Sequence, residues 1–344
     1  MEGADMSVDP RSAVTLEDVA RAAGVSRATA SRVVRGDSGV SEPKARAVRE
    51  AVTTLRYVPN RAARSLVTRR TDTVALVVPE PDQRIFSDPF FAITVQAVSE
   101  ALEDTDIQLV MAFADRAGSH QRLRSFLHDG HVDGAIVVSH HQIPGQIETF
   151  MRAAIPVVFI GRPARATSSQ AWVDVDNREG GRIAARRLLE GGSRAPAVIT
   201  GTLDMVAAQD RLEGFTQQMG EAGTTPLVVQ GSFTRDSGTR AGTELLPMIR
   251  GGQVDGVFAC SDLMALGAME VWRREGVRVP DDVRIVSFDD LEAGALADPP
   301  LTSITNPVER MGREAIRMLR ERLENRGTER PVLLPTQLVP RVSG

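Results

Sequence analysis

The sequence predicts two unlike parts. One is an all-α helix-turn-helix headpiece, and the other an α/β body of two lobes built from parallel sheets flanked by helices. Three observations carry this reading. Between Arg11 and Arg70 there are thirteen Lys/Arg against five Asp/Glu, whereas residues 71–344 carry a net charge of −9. The first sixty residues contain three short capped helical patterns. From Thr71 onward, short apolar runs alternate with amphipathic stretches.

The charge partition comes first because it constrains function. A basic module joined to an acidic body points to a polyanionic partner for the module alone. The chain's 344 residues suffice for two or three domains. Its single cysteine, Cys260, excludes an intrachain disulfide and fits a reducing compartment. No apolar run approaches the ~18 residues that span a bilayer. The opening MEGADMSVDPRSAV has no apolar signal-peptide core, so a cytoplasmic location is expected and residues 1–13 read as a disordered tail.

Residues 14–59 read as the helix-turn-helix domain. Thr15 caps a first helix with Asp18 three residues on, a capping-box spacing. Leu16, Val19, Ala20 and Ala23 share its apolar face. Gly24 permits a left-handed turn. Ser26 caps a second helix burying Ala30, Val33 and Val34. Ser41 opens a third, with Pro43 in its first turn and Ala47, Val48, Ala51, Val52 and Leu55 as its stripe. The second helix carries the chemistry. A helix fits the major groove, and Arg can bond a guanine edge through two hydrogen bonds. Arg27, Ala28 and Arg32 are therefore the candidate base readers. Ser26, Thr29, Ser31 and Arg35 are candidate phosphate contacts.

The stretches TLEDVARAAGVSRATASRVVRG and VSEPKARAVREAVTTLRYVPNRAARSL resemble the headpiece of the lactose/galactose repressor (LacI/GalR) family of bacterial regulators. The resemblance rests on DVA-x-x-AGVS, T-x-SRV and Y-x-PN-x-x-A-x-x-L. It extends to residues 60–70, NRAARSLVTRR. Asn60 can cap a helix ending near Leu66, too short to be stable alone. Ala62 and Ala63 would let a second copy approach. Leu66 would be left as an apolar wedge for the minor groove, with Asn60, Arg61 and neighbouring arginines on phosphates. The resemblance implies such a paired hinge helix, hence a homodimer on a near-palindromic double-stranded operator.

In the body the strand candidates are TVALVVP, IQLVMAFA, GAIVVS, PVVFIG, PAVIT, PLVVQG, GVFACS and VRIVSFD. They fall into two halves near Trp172. Two such lobes place a ligand cleft at the C-terminal ends of their strands. VDVDNREGGRIAARRLLEGG, DRLEGF and PPLTSITNPVERMGREA resemble the effector domain of the same family, which is similar in fold to periplasmic sugar-binding proteins. The resemblance implies three crossings between lobes. The near lobe would comprise about 72–173 and 306–328, the far lobe about 174–305 and 329–344.

The resemblance also implies ligand contacts at Arg211 in DRLEGF, Asp289 in SFDD and Phe233 in GSFTRDSG. Arg211 is expected at a strand-to-helix transition, where its fork suits a diol or carboxylate. Phe90 and Phe91 are expected to form a second wall. Arg162, after PVVFIG, is expected to face the same cleft. Ser261-Asp262 departs from the Asn-Asp of many relatives, so Ser261 offers the effector a shorter reach.

Catalytic machinery is not visible. There is no GxxxxGK[ST], HExxH or GxSxG. His120, His128, His131, His140 and His141 cluster in sequence without an accompanying metal motif, and neither metal nor cofactor is expected. A transporter's solute-binding protein would have a signal peptide and no helix-turn-helix; this chain shows the reverse. The expected function is transcription regulation by a DNA-binding repressor, allosterically controlled by a small effector, a sugar or sugar derivative. The alternative is a planar purine-type corepressor sandwiched between Phe233 and Phe90 or Phe91.

Overall fold

Residues 14–58, 70–114, 119–143, 146–164, 166–167, 170–326 and 330–344 are described by the structure, a computed structural model. The chain divides between Thr71 and Asp72 into two units.

The first unit is built around its caps. Helix α1 (Leu16–Ala22) starts at a capping box: the Asp18 amide donates to Thr15 Oγ1 at 3.3 Å and the Thr15 amide to Asp18 Oδ2 at 3.0 Å. Gly24 turns the chain at φ 66°. Helix α2 (Arg27–Arg35) is capped by Ser26 and ends at Gly36, φ 79°. Helix α3 (Glu42–Thr54) carries Pro43 in its first turn. Val19, Ala20, Ala30, Val48 and Ala51 form the core, with Val33, Val34 and Leu55 packed around them. On α3 the buried alanine at the start of the stripe is Ala45, whereas Ala47 is half-buried.

The second unit contains two sheets of the same winding. The first takes β1 (Thr73–Val78), β2 (Gln108–Phe113), β3 (Gly134–Val138), β4 (Val157–Ile160), β5 (Ala171–Val175) and β11 (Val332–Leu334), in the order β11-β5-β4-β3-β1-β2. All its pairings are parallel. The second takes β6 (Pro196–Thr200), β7 (Leu227–Gln230), β8 (Gly256–Ala259), β9 (Arg284–Asp289), β10 (Thr302–Thr305) and β12 (Leu338–Val339), in the order β12-β10-β9-β8-β6-β7. Only β12 runs antiparallel to its neighbour. Central strands are buried on both faces. Val74, Leu76 and Val78 enter one core and Ala75 and Val77 another, which is why TVALVV is apolar without alternation.

The crossings between lobes follow from the strand assignments. After β5 the chain enters α8 (Asn177–Glu190), which packs on β8, β9 and β10. After β10 it enters α13 (Val308–Leu323), which packs under β3, β4 and β5. The last crossing departs from expectation. The sequence reading places residues 329–344 in the far lobe, yet Val332–Leu334 pairs with Val173–Val175 of the first sheet. Three residues between Pro331 and Pro335 have no periodicity to read, and backbone pairing alone decides their place.

Glycines set the closest helix contact. α8 crosses α9 (Val206–Glu221) where a Cβ at Gly181 would strike the Arg211 carbonyl and one at Gly214 the Arg178 carbonyl. Gly214→Val should therefore destabilise the protein by about 1–3 kcal/mol through overpacking. Gly220→Ala lies on the same helix with open space around it, and should be neutral or slightly stabilising. Urea denaturation of both variants checks this; equal effects would remove the steric explanation.

Candidate functional site

Two surfaces have functional geometry. On α2, Arg27, Ala28, Arg32 and Arg35 are exposed, while Thr29 and Ser31 are half-buried. Ser26 Oγ accepts the Thr29 amide at 3.2 Å, and the two hydroxyls are bonded at 2.9 Å. Arg27 Nε pairs with Glu17 at 2.7 Å and Arg35 with Asp37 at 2.8 Å. Such exposed pairs are worth about 0–1 kcal/mol and yield readily to a phosphate. Asn60, Arg61 and Leu66 lie outside the described residues.

The second surface is a cavity at the C-terminal ends of both sheets, with about 760 Å³ of space free of protein atoms that is partly open to solvent. It forms where each sheet reverses its strand order, beside β1 and β6. The near lobe contributes Arg84 from α4 (Asp82–Ser87), Phe90 from α5 (Pro89–Glu100), His140 after β3 and Arg162 after β4. The far lobe contributes Arg211 from α9, Phe233 after β7, Ser261 after β8 and Asp289 at the end of β9.

Of the expected ligand residues, Arg211, Asp289, Phe233, Phe90, Arg162 and Ser261 line this cavity; Phe91 does not. It is 2% exposed in the near-lobe core, edge-on to Phe90 at 5.3 Å between centroids. Successive helical residues point about 100° apart, so the two rings cannot share one wall. Arg211 also departs from expectation, since it lies in the second turn of α9 rather than at a strand-to-helix transition.

Arg211 is the most constrained group present. Its Nε donates to Asn177 Oδ1 at 2.8 Å and its Nη1 to the Cys260 carbonyl at 2.6 Å. Its guanidinium stacks on Phe288, 3.5 Å from the ring centroid. Asp289 lies 3.7 Å away and accepts from Asn306 Nδ2 at 3.0 Å. Burial raises the Asp289 carboxyl to about 7, against the pull of Arg211. Asp289 and Phe233 hold φ of 113° and 60°, a conformation costly for side-chain-bearing residues and one that recurs at binding sites. Phe233 is flanked by guanidiniums, Arg84 at 5.4 Å and Arg211 at 5.8 Å from its centroid.

Arg162 donates to Asp210 at 2.6 Å and so bridges the lobes. Ser261 Oγ caps α11 (Asp262–Arg274) by accepting the Met264 amide at 3.3 Å. The adjacent Asp262 is structural. It receives the Ser287 hydroxyl, the Ser303 hydroxyl at 2.7 Å and the Leu291 amide at 2.6 Å, and burial raises it to about 6.

Sequence reasoning missed Arg84, Asp88, His140, Asp174, Asn177 and Asn306, which also line the cavity. Two of these contribute buried polar atoms without a protein partner, Arg84 Nε and Asn306 Oδ1. His140 is pushed down to about 4 by burial and bonds the Gly161 carbonyl at 3.1 Å. The histidine cluster disperses: His128 and His131 precede β3, while His140 and His141 follow it. Among the described residues no His/Cys/Asp/Glu group is arranged to hold a metal ion. No helix among them is long and apolar enough to cross a membrane.

Comparison with known proteins agrees across both units. The family described as bacterial regulatory proteins, lacI family, matches residues 15–60, and the periplasmic binding protein-like domain matches residues 173–343. The HTH-type transcriptional regulator CelR of Thermobifida fusca is 46% identical over 336 residues, covering 96% of this chain and 98% of that protein. A solved transcriptional regulator CelR–cellobiose complex superposes with a TM-score of 0.76 at 43% identity, covering 96% of this chain and all of that one. A lac repressor dimer bound to operator and the anti-inducer ONPF superposes with a TM-score of 0.85 at 25% identity, covering 96% and 99%.

Replacing Arg211 by Met would leave Asp289 buried without its cation. The expected loss is about 3 kcal/mol at pH 8. Asp289 binds its proton near pH 7, so the loss should shrink at pH 5.5, where the carboxyl is neutral in both proteins. Denaturant titrations at the two pH values test this, and a loss independent of pH would count against the pairing.

Proposed function

The chain belongs to the lacI family of bacterial regulatory proteins, and from that premise we propose a cytoplasmic homodimeric repressor that a glucoside of the cellobiose class releases from its operator. Arg27, Ala28 and Arg32 read bases in the major groove. Ser26, Thr29, Ser31, Arg35, Asn60 and Arg61 hold phosphates, and paired Leu66 side chains wedge the minor groove at the operator centre. The near lobe comprises about 72–175 and 306–334, the far lobe about 176–305 and 335–344.

The observation that carries the effector class is a cavity lined by both donors and acceptors, Arg84, Arg162, Asn306 and Asp289. Sugar hydroxyls both donate and accept, and so can pair with such a mixed lining. A planar corepressor is disfavoured because Phe91 is in the core and Phe233 is flanked by guanidiniums. The structure of a relative with cellobiose supplies the sugar to try first.

Selection of operators from randomised duplex DNA should recover a near-palindrome. Arg27→Ala should weaken discrimination at one base pair of each half-site by about 1–3 kcal/mol. Binding should fall steeply with salt. Cellobiose should weaken operator binding by about 5- to 150-fold. No effect of cellobiose would reject the effector class, and tighter binding would reverse its sign. Enrichment of no sequence would reject the DNA-binding assignments.

A further inference from the structure

At the rim of the cleft, side chains from three loops meet around one imidazole. His141, after β3, places Nε2 2.9 Å from Glu80 Oε1 and Nδ1 2.9 Å from Asp204 Oδ1. Glu80 follows β1 in the same lobe, whereas Asp204 follows β6 in the other. A neutral imidazole has one N–H and can donate to only one of these carboxylates; the cation donates to both. The Gln142 amide also donates to the Asp204 carbonyl at 2.9 Å, fixing the register of the two loops.

The surroundings favour the charged ring. Glu80 is 1% exposed and accepts from Arg84 and from the Ser139 hydroxyl as well. Burial works against ionisation of Glu80, but the bonds and charges of His141 and Arg84 hold it below the usual carboxylate range. Burial likewise opposes the charge on His141, yet Glu80 and then Asp204 hold it above the usual imidazole range. The preceding His140 is buried and neutral. Asp88, Arg235, Asp236 and Arg240 line the same rim cavity.

We propose that Glu80, His141 and Asp204 form an interlobe clasp that positions the effector cleft in its closed form and makes effector affinity proton-linked. This rests on the cleft being the effector site. With the lobes parted the ring keeps Glu80 of its own lobe and loses only Asp204, so it binds its proton less tightly than in the joined state; below both values the ring is charged either way and the clasp is at full strength. As pH rises through the raised value in the joined state, the ring loses its proton and the attraction is lost. Between the two values, closing the cleft takes up a proton.

The test uses the full-length protein and two readouts. Histidine NMR titration follows the five imidazoles, with His141 assigned by its absence in His141→Gln. Its midpoint should lie above the ordinary imidazole value of about 6.5 and fall in Asp204→Asn, about a three- to tenfold loss of proton affinity. Calorimetry with cellobiose from pH 6 to 8.5 should show affinity weakening more steeply in the wild type than in His141→Gln, by a similar factor, the slope left in the variant belonging to Asp289 in the cleft. A His141 midpoint at or below 6.5, or one unmoved by Asp204→Asn, would overturn the clasp. An identical pH profile in His141→Gln would overturn its link to the effector. If cellobiose binds at no pH, the effector class fails, while the NMR titration still decides the clasp.

Discussion

A guanidinium at 5% exposure is the constraint around which the far lobe and the cleft are arranged. Removing Arg211 from water is costly, and each neighbour offsets part of that cost. Asn177 at the start of α8 and the Cys260 carbonyl just after β8 accept its N–H bonds, Phe288 on β9 covers its face, and Asp289 pairs with its charge. These partners come from three separate strand ends or helix starts. Their shared need for one cation fixes the far wall of the cavity. The position of α9, which carries Arg211, depends in turn on Gly181 and Gly214, because only a bare backbone lets α8 approach so closely. A steric feature of two helices thus sets the electrostatics of the cavity.

Burial, which Arg211 only partly offsets, explains the perturbed carboxyls of the cavity. Asp174 and Asp289 are raised to about 6 and about 7 by burial, against the pull of Arg211. Asp262 is raised to about 6, and serine hydroxyls and a backbone amide satisfy it instead. Polar atoms with no protein partner then stand out against a background that is otherwise satisfied. On α2 the balance is the opposite: its ion pairs are exposed, weak and open to exchange with a stronger anion.

Much of the architecture was legible in the residues. Thr15, Asp18 and Ser26 cap their helices where local chemistry dictates. The eight apolar runs all became strands. Of the other four, β5 is interrupted by Asp174, β10 is mostly hydroxyl residues, and β11 and β12 are only three and two residues long. With β10 unseen, Asn306 at its end was invisible as a cavity residue. Phe90 and Phe91 could not be separated without the helix phase, and five neighbouring histidines looked like one group until β3 divided them.

What the sequence by itself determined was therefore local or additive: helix caps, strand runs, the separation of charge, and the family motifs of the headpiece. Each depends on residues close together along the chain or on a simple sum. Only the tertiary structure decided which groups share the cleft, because Glu80, His141 and Asp204, like Arg84 and Asn306, are far apart in sequence and meet only through sheet winding and chain crossing. Burial then decided their chemistry. The same histidine residue type is neutral at position 140 and held toward its cation at 141, since one ring faces a carbonyl in the interior and the other two carboxylates at the rim.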